Sequence, residues 1–192
     1  MTSVRTAAAV ASAAAGISWL IIWWHQRLAH GRTAENEQEI VLGLTWMDSG
    51  KFLVVPLILF LVAVVRLYRS VPHLGRFGTI GFTASAGSLA ALIVGTALQF
   101  WRFRWDSYEQ QFEEASIGAG GAIQAGATLG TFVSLVAFAT VLVRRRVVPA
   151  WIAPILPLSA LATFWLTPTN PIPGLGWTAL ATAILWRARV LR

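Results

Sequence analysis

The chain has no cysteine, one lysine (Lys51) and eight carboxylates among 192 residues. Without thiols it forms no disulfide and no thiolate metal site, and it has no thiol nucleophile. Charged residues make up 12% of the chain and hydrophobic ones 56%, whereas an average globular domain carries about 25% charge. That leaves too little polar side chain to cover a water-facing surface. Nucleotide-binding glycine loops are absent, as is any serine, histidine and aspartate grouping of diagnostic spacing. The formal charge of +7 alone would suit nucleic acid. The arginines, however, stand at the ends of apolar runs, where membrane proteins place them, so no nucleic-acid partner is expected.

What is present is a strict sorting of charge. Glu35, Glu37, Glu39 and Asp48 occupy one polar stretch, and Asp106, Glu109, Glu113 and Glu114 another. The other gaps between apolar runs hold no carboxylate. Soluble proteins mix both signs over one surface, so the pattern points to a chain threaded repeatedly through a bilayer. A spanning helix needs about 20 mostly apolar residues. Runs that meet or approach this length cover 7–24, 47–65, 77–101, 123–143, 147–166 and 174–191, the last interrupted by Arg187 and Arg189. The first run could pass for a signal peptide, but it ends in Trp23-Trp24-His25-Gln26 rather than in a small-residue cleavage site. It is read as an uncleaved helix.

Six spans place Arg5, Arg66, Arg69, Arg76, Arg144, Arg145, Arg146, Arg187, Arg189 and Arg192 on one side. The other side receives Arg27, Arg32, Lys51, Arg102 and Arg104. The basic excess marks the cytoplasmic face, whereas a five-span chain would lose the bias. The expectation is an all-α membrane protein, six transmembrane helices in a single bundle, with both termini cytoplasmic and one integral membrane domain over 1–192. Tryptophans fit this frame, with Trp23, Trp24, Trp46, Trp101, Trp105, Trp165 and Trp177 at the outer boundary and Trp151 and Trp186 at the inner one. Fourteen arginines against one lysine, with abundant alanine, look like GC-rich coding and point to a bacterial plasma membrane.

Small residues recur at four-residue steps in two spans: Gly87, Ala91 and Gly95 in the third, and Gly118, Ala122, Gly126, Gly130 and Ser134 in the fourth. Such lines let helix backbones approach closely. They are expected to face a neighbouring helix, with Leu135 on the opposite side. Pro56 should kink the second span, and Pro149, Pro154 and Pro157 should bend or loosen the fifth. The spans lack a buried ionisable relay of the kind proton-coupled transporters use.

Candidate chemistry gathers on the outer face. Two short amphipathic outer segments are expected, one from Thr33 to Met47 and one from Arg102 to Ala115. In the second, Trp101, Trp105, Tyr108 and Phe112 share one helical face and Arg102, Asp106, Glu109 and Glu113 another. The outer face offers His25, Asp48, Trp101, Arg102, Arg104, Trp105 and Asp106 as contacts for a ligand or partner. His25 and His30 stand five residues apart, which is not one helical face, so no metal and no cofactor are expected. The leading expectation is a non-catalytic accessory or interaction subunit of a membrane complex, in contact with the lipid bilayer and another membrane protein. The alternatives are a transport component binding a small amphipathic or anionic ligand, and an outer-leaflet enzyme using His25, Asp48, Arg102, Arg104 and Asp106.

Overall fold

The computed structural model describes residues 2–30, 42–44, 46–71, 73–101, 119–165 and 170–190. Among these, seven helices follow in order: α1 (Thr2–His30), α2 (Trp46–Lys51), α3 (Val54–Arg69), α4 (Gly75–Trp101), α5 (Ala119–Arg144), α6 (Ile152–Trp165) and α7 (Ile172–Val190). Four stretches are long and apolar enough to cross a bilayer: Val4–Leu28, Asp48–Arg69, Gly75–Trp101 and Gly120–Arg144. A shorter apolar helix covers Ile152–Thr163. These are the helices of a multi-pass membrane protein. The last expected span, 174–191, forms a helix as α7, but Arg187 in its final turns makes it less apolar.

Each long helix packs on its neighbour in sequence, and α7 returns to α1, so six helices close a ring; short α2 rests on α1 and α4. The α4–α5 pair is the most extensive contact, followed by α1 with α7. In the latter pair the backbones nearly touch. A Cβ on Gly174 would lie 2.8 Å from the carbonyl oxygen of Gly16, and one on Gly16 would lie 2.6 Å from that of Gly174. Only glycine permits this crossing.

Proline positions explain where helices stop. A proline ring clashes with the carbonyl four residues earlier, which for Pro56 is that of Phe52. The helix is interrupted there: α2 ends at Lys51, α3 begins at Val54, and the Phe52 carbonyl accepts the Val55 N–H instead, at 3.0 Å. The expected kink at Pro56 is thus a break one turn earlier. The expected 147–166 span is shortened to α6, whose 14 residues reach only about 21 Å at the α-helical rise. Its preceding residues turn through bonds from Ile152 to Pro149 and from Ala153 to Ala150.

α5 ends without a glycine. Arg146 adopts φ 54°, its N–H bonds the Val143 carbonyl, and the Val147 N–H reaches back to Leu142 at 2.9 Å. This is the hydrogen-bond pattern of a Schellman cap, in which the left-handed residue is usually glycine. Burial of both Val147 and Leu142 supplies the apolar contact that accompanies it.

The core is aromatic. The Trp177 ring stacks on Phe60 with centroids 4.5 Å apart and meets Trp19 edge-on at 5.5 Å. All three are buried. Trp177 is therefore no boundary anchor, as its place near a span end suggested, but joins α1, α3 and α7. By contrast Trp24, Trp101, Trp151 and Trp186 are exposed, as interfacial indoles are. Several hydroxyls in the helices are satisfied locally, since lipid offers them nothing. Ser85, Thr131, Ser134 and Thr178 each donate to the carbonyl four residues earlier.

Candidate functional site

The site is best described from the end of the bundle that carries α2. This six-residue helix holds an ion pair between the Asp48 carboxylate and the Lys51 ammonium, 2.7 Å long, with both side chains partly exposed. Pairs this exposed contribute only about 0–1 kcal/mol, so Asp48 is stapled to its own helix more than it is poised for chemistry. Two further contacts fasten α2 to the end of α4. Gly50 lies flat against the Phe100 ring, where any Cβ would overlap it. The exposed Trp101 indole donates its Nε1–H to the Lys51 carbonyl at 3.1 Å. Among the expected contact residues, Asp48 and Trp101 are thus brought to one place, with Lys51 between them. His25 is buried on α1, as is its neighbour Gln26, and α1 also packs on α2. Arg102, Arg104, Trp105 and Asp106 lie outside the described residues, as do most of both amphipathic outer segments, while His30 ends α1. Among the described residues no three His, Asp or Glu side chains come together in a way that would hold a metal.

The small-residue lines divide between two surfaces. On α4, Gly95 packs so closely that a Cβ would lie 2.9 Å from the Gln124 backbone nitrogen, whereas Gly87 has open space beside it. Ala91 is partly buried and packs against the core. On α5, a Cβ on Gly130 would sit 3.4 Å from the Ser88 Cβ, yet Gly126 has nothing within 4 Å. Ala122 is exposed, and Gly118 lies outside the described residues. Leu135, expected to face away from packing, is fully buried. The reason is geometric. Four-residue steps drift by about 40° each around an α-helix, so one such line cannot follow a single neighbour for long. The seam follows alternating steps of four and three residues instead, the period of coiled coils. On α4 it runs Gly78, Gly81, Ser85, Ser88, Leu92, Gly95, Gln99. The facing residues on α5, in antiparallel order, are Val141, Phe138, Ser134, Thr131, Ala127, Gln124, Gly120. The register is fixed by close approaches at Gly78 with Val141, Gly81 with Phe138, Gly95 with Gln124, and Gly120 with Gln99. Within the seam the Gln124 amide lies 3.4 Å from the Thr96 hydroxyl, to which it donates.

The opposite end of the bundle is basic. Arg66, Arg69, Arg76, Arg144, Arg145 and Arg146 are all exposed there. Arg145 donates through Nη2 to the His73 carbonyl at 3.0 Å, tying the α3–α4 turn to the end of α5. An open groove of about 590 Å³ lies at this turn, lined in part by Tyr68, Arg69, His73, Arg76 and Ile80.

Comparison with protein families, with curated proteins and with solved structures finds no match to this chain. Its chemistry must therefore be read from its own residues. Sequence reasoning missed three of them. Lys51 is signalled only by its three-residue spacing from Asp48. Gly50 carries no signal without knowledge of Phe100. Asn170 stands in a proline-rich stretch of sequence, yet it is buried and makes three bonds. Its carbonyl accepts the Trp19 Nε1–H at 2.9 Å, its Oδ1 accepts the Ile172 N–H at 2.9 Å, and its Nδ2 donates to the Ala162 carbonyl at 3.3 Å.

Proposed function

We propose that this multi-pass membrane protein is a non-catalytic accessory or interaction subunit of a membrane complex. In this reading it lies in a bacterial plasma membrane with both termini cytoplasmic and the α2 end outward. The observation that supports it best is the outward face of α5. Ala122, Gly126, Leu129, Val133 and Val136 are all exposed and follow the same alternating step of four and three. Gly126 has open space where a side chain would be. A glycine inside a helix costs about 1 kcal/mol relative to alanine, a cost that close approach of a partner's transmembrane helix offsets.

Native mass spectrometry of the gently solubilised protein tests this. The expected spectrum holds a complex of this 20.8 kDa chain with a different membrane protein. Gly126→Leu should dissociate it without lowering thermal stability, whereas Ala90→Leu on the exposed face of α4 should not. A spectrum of monomer only, or of multiples of this chain, would overturn the subunit reading. So would a partner retained by Gly126→Leu.

A further inference from the structure

We infer that the groove at the α3–α4 turn is a binding site for one anionic phospholipid. Its phosphate sits between Arg69 and Arg76, and one acyl chain runs down the outer face of α4. The inference needs only that the chain spans a bilayer, and it holds whether or not the protein is a subunit of a complex.

Charge carries the first half. Arg69 closes α3 and Arg76 opens α4, and both line the groove. Among the described residues neither guanidinium forms an ion pair, and the one described carboxylate, Asp48, is paired with Lys51 at the other end of the α2–α3 segment. Guanidinium groups bind phosphate oxygens through paired, charge-assisted hydrogen bonds. The positive end of the α4 dipole adds to the attraction. The site is also preformed. His73 and Gly75 hold the turn at φ 58° and 72°, and Arg145 pins the His73 carbonyl. Arg145 is thereby committed to the turn, which leaves Arg69 and Arg76 to the ligand.

The apolar surface carries the second half. From the groove, Phe77, Ile80, Ala84 and Gly87 lie along α4 at steps of three, four and three, and all are exposed. Phe77 is 61% and Ile80 66% exposed, and beyond them Gly87 has nothing within 4 Å of a Cβ position. Two large side chains next to the headgroup, then two small ones, form a shallow trough leading into the hydrocarbon. A soluble phosphate would use the arginines and leave the trough idle; a phospholipid uses both. The groove therefore selects the lipid.

The test is a thermal-shift titration of the full chain in detergent with phosphatidylglycerol, compared with phosphatidylcholine. Phosphatidylglycerol should raise the unfolding temperature and stay bound as a single molecule in native mass spectra. Arg69→Gln/Arg76→Gln should weaken this binding by about tenfold or more, since each arginine adds to the attraction for an anionic headgroup. The charge-matched Arg66→Gln/Arg144→Gln, outside the groove, should bind as the parent does. Gly87→Leu changes no charge and meets open space, so it should fold normally and still bind phosphatidylglycerol more weakly. Equal losses in the two double variants would reduce the effect to bulk charge and overturn the site. Unaltered binding in Gly87→Leu would remove the acyl path, and equal protection by inorganic phosphate would make the ligand a soluble anion; either result overturns the proposal.

Discussion

Single side chains close this bundle where helices alone would not. Asn170 bonds residues of α1, α6 and α7 at once. Its replacement by leucine leaves the buried Ala162 carbonyl and the part-buried Ile172 N–H without their side-chain partner. A buried group left so costs about 1–3 kcal/mol. Asn170→Leu should therefore lower the unfolding temperature in detergent by several degrees, while Asn170→Asp, which keeps the Oδ1 acceptor, should lose less. Arg146 presents the opposite case, a residue held in a conformation that does not suit it. At φ 54° a side chain costs roughly 1–2 kcal/mol that glycine avoids. Arg146→Gly should raise thermal stability, and equal or lower stability would mean that its guanidinium contributes more than the strain removes. Neither residue stands out in the sequence. Asn170 is hidden because its partners come from helices far along the chain, and Arg146 because a run of three arginines reads only as charge. Trp177 shows the same limit: depth near a span end was readable, but the direction of its ring depended on Phe60 and Trp19.

At the scale of helices, what could be read was length and composition, and what could not was phase. Apolar runs located the helices to within a few residues because hydrocarbon thickness imposes a minimum length. Their ends shifted where proline acts four residues upstream, as at Phe52, or where the helix continues past the apolar part, as α1 does to His30. The glycine and serine content of α4 and α5 announced close packing, but only a period of 3.5 residues keeps one helix against another over seven contacts. This seam can be tested directly, because the chain has no native cysteine to interfere. A Cβ on Gly130 would lie 3.4 Å from that of Ser88, close to the separation in disulfides, about 3.5–4.5 Å. Ser88→Cys/Gly130→Cys should cross-link on mild oxidation, seen as a mobility shift reversed by reductant. Gly87→Cys/Gly126→Cys, whose sites both face open space, should not. Cross-linking of the second pair and not the first would rotate both helices and dismantle the register.

For the whole molecule, the closed ring of neighbour-to-neighbour contacts explains why so little of the candidate site could be read ahead. Carboxylates are concentrated between the long helices, and seven of the eight fall outside the described residues. The helices fix only where those connections meet them: Asp48 on α2 and Trp101 at the tail of α4, joined through Lys51. Orientation rests on a different quantity, the arginine count. The exposed arginines at the ends of α3 and α5 and at the start of α4 share one end of the bundle, the end joined by the Arg145 bond to His73. Basic residues beside span ends are retained on the cytoplasmic side, so this end should face the cytoplasm. On the six-span reading the chain returns to the side where it began, which requires α6 and α7 both to cross despite the short first of these and the arginines of the second. Alkaline phosphatase, which is active only outside the cytoplasm, should be inactive when fused after Arg192 and active when fused after Gln110. An active fusion after Arg192 would mean that α6 and α7 do not both cross. An inactive fusion after Gln110 would invert the whole bundle and place the Arg69–Arg76 groove in the outer leaflet.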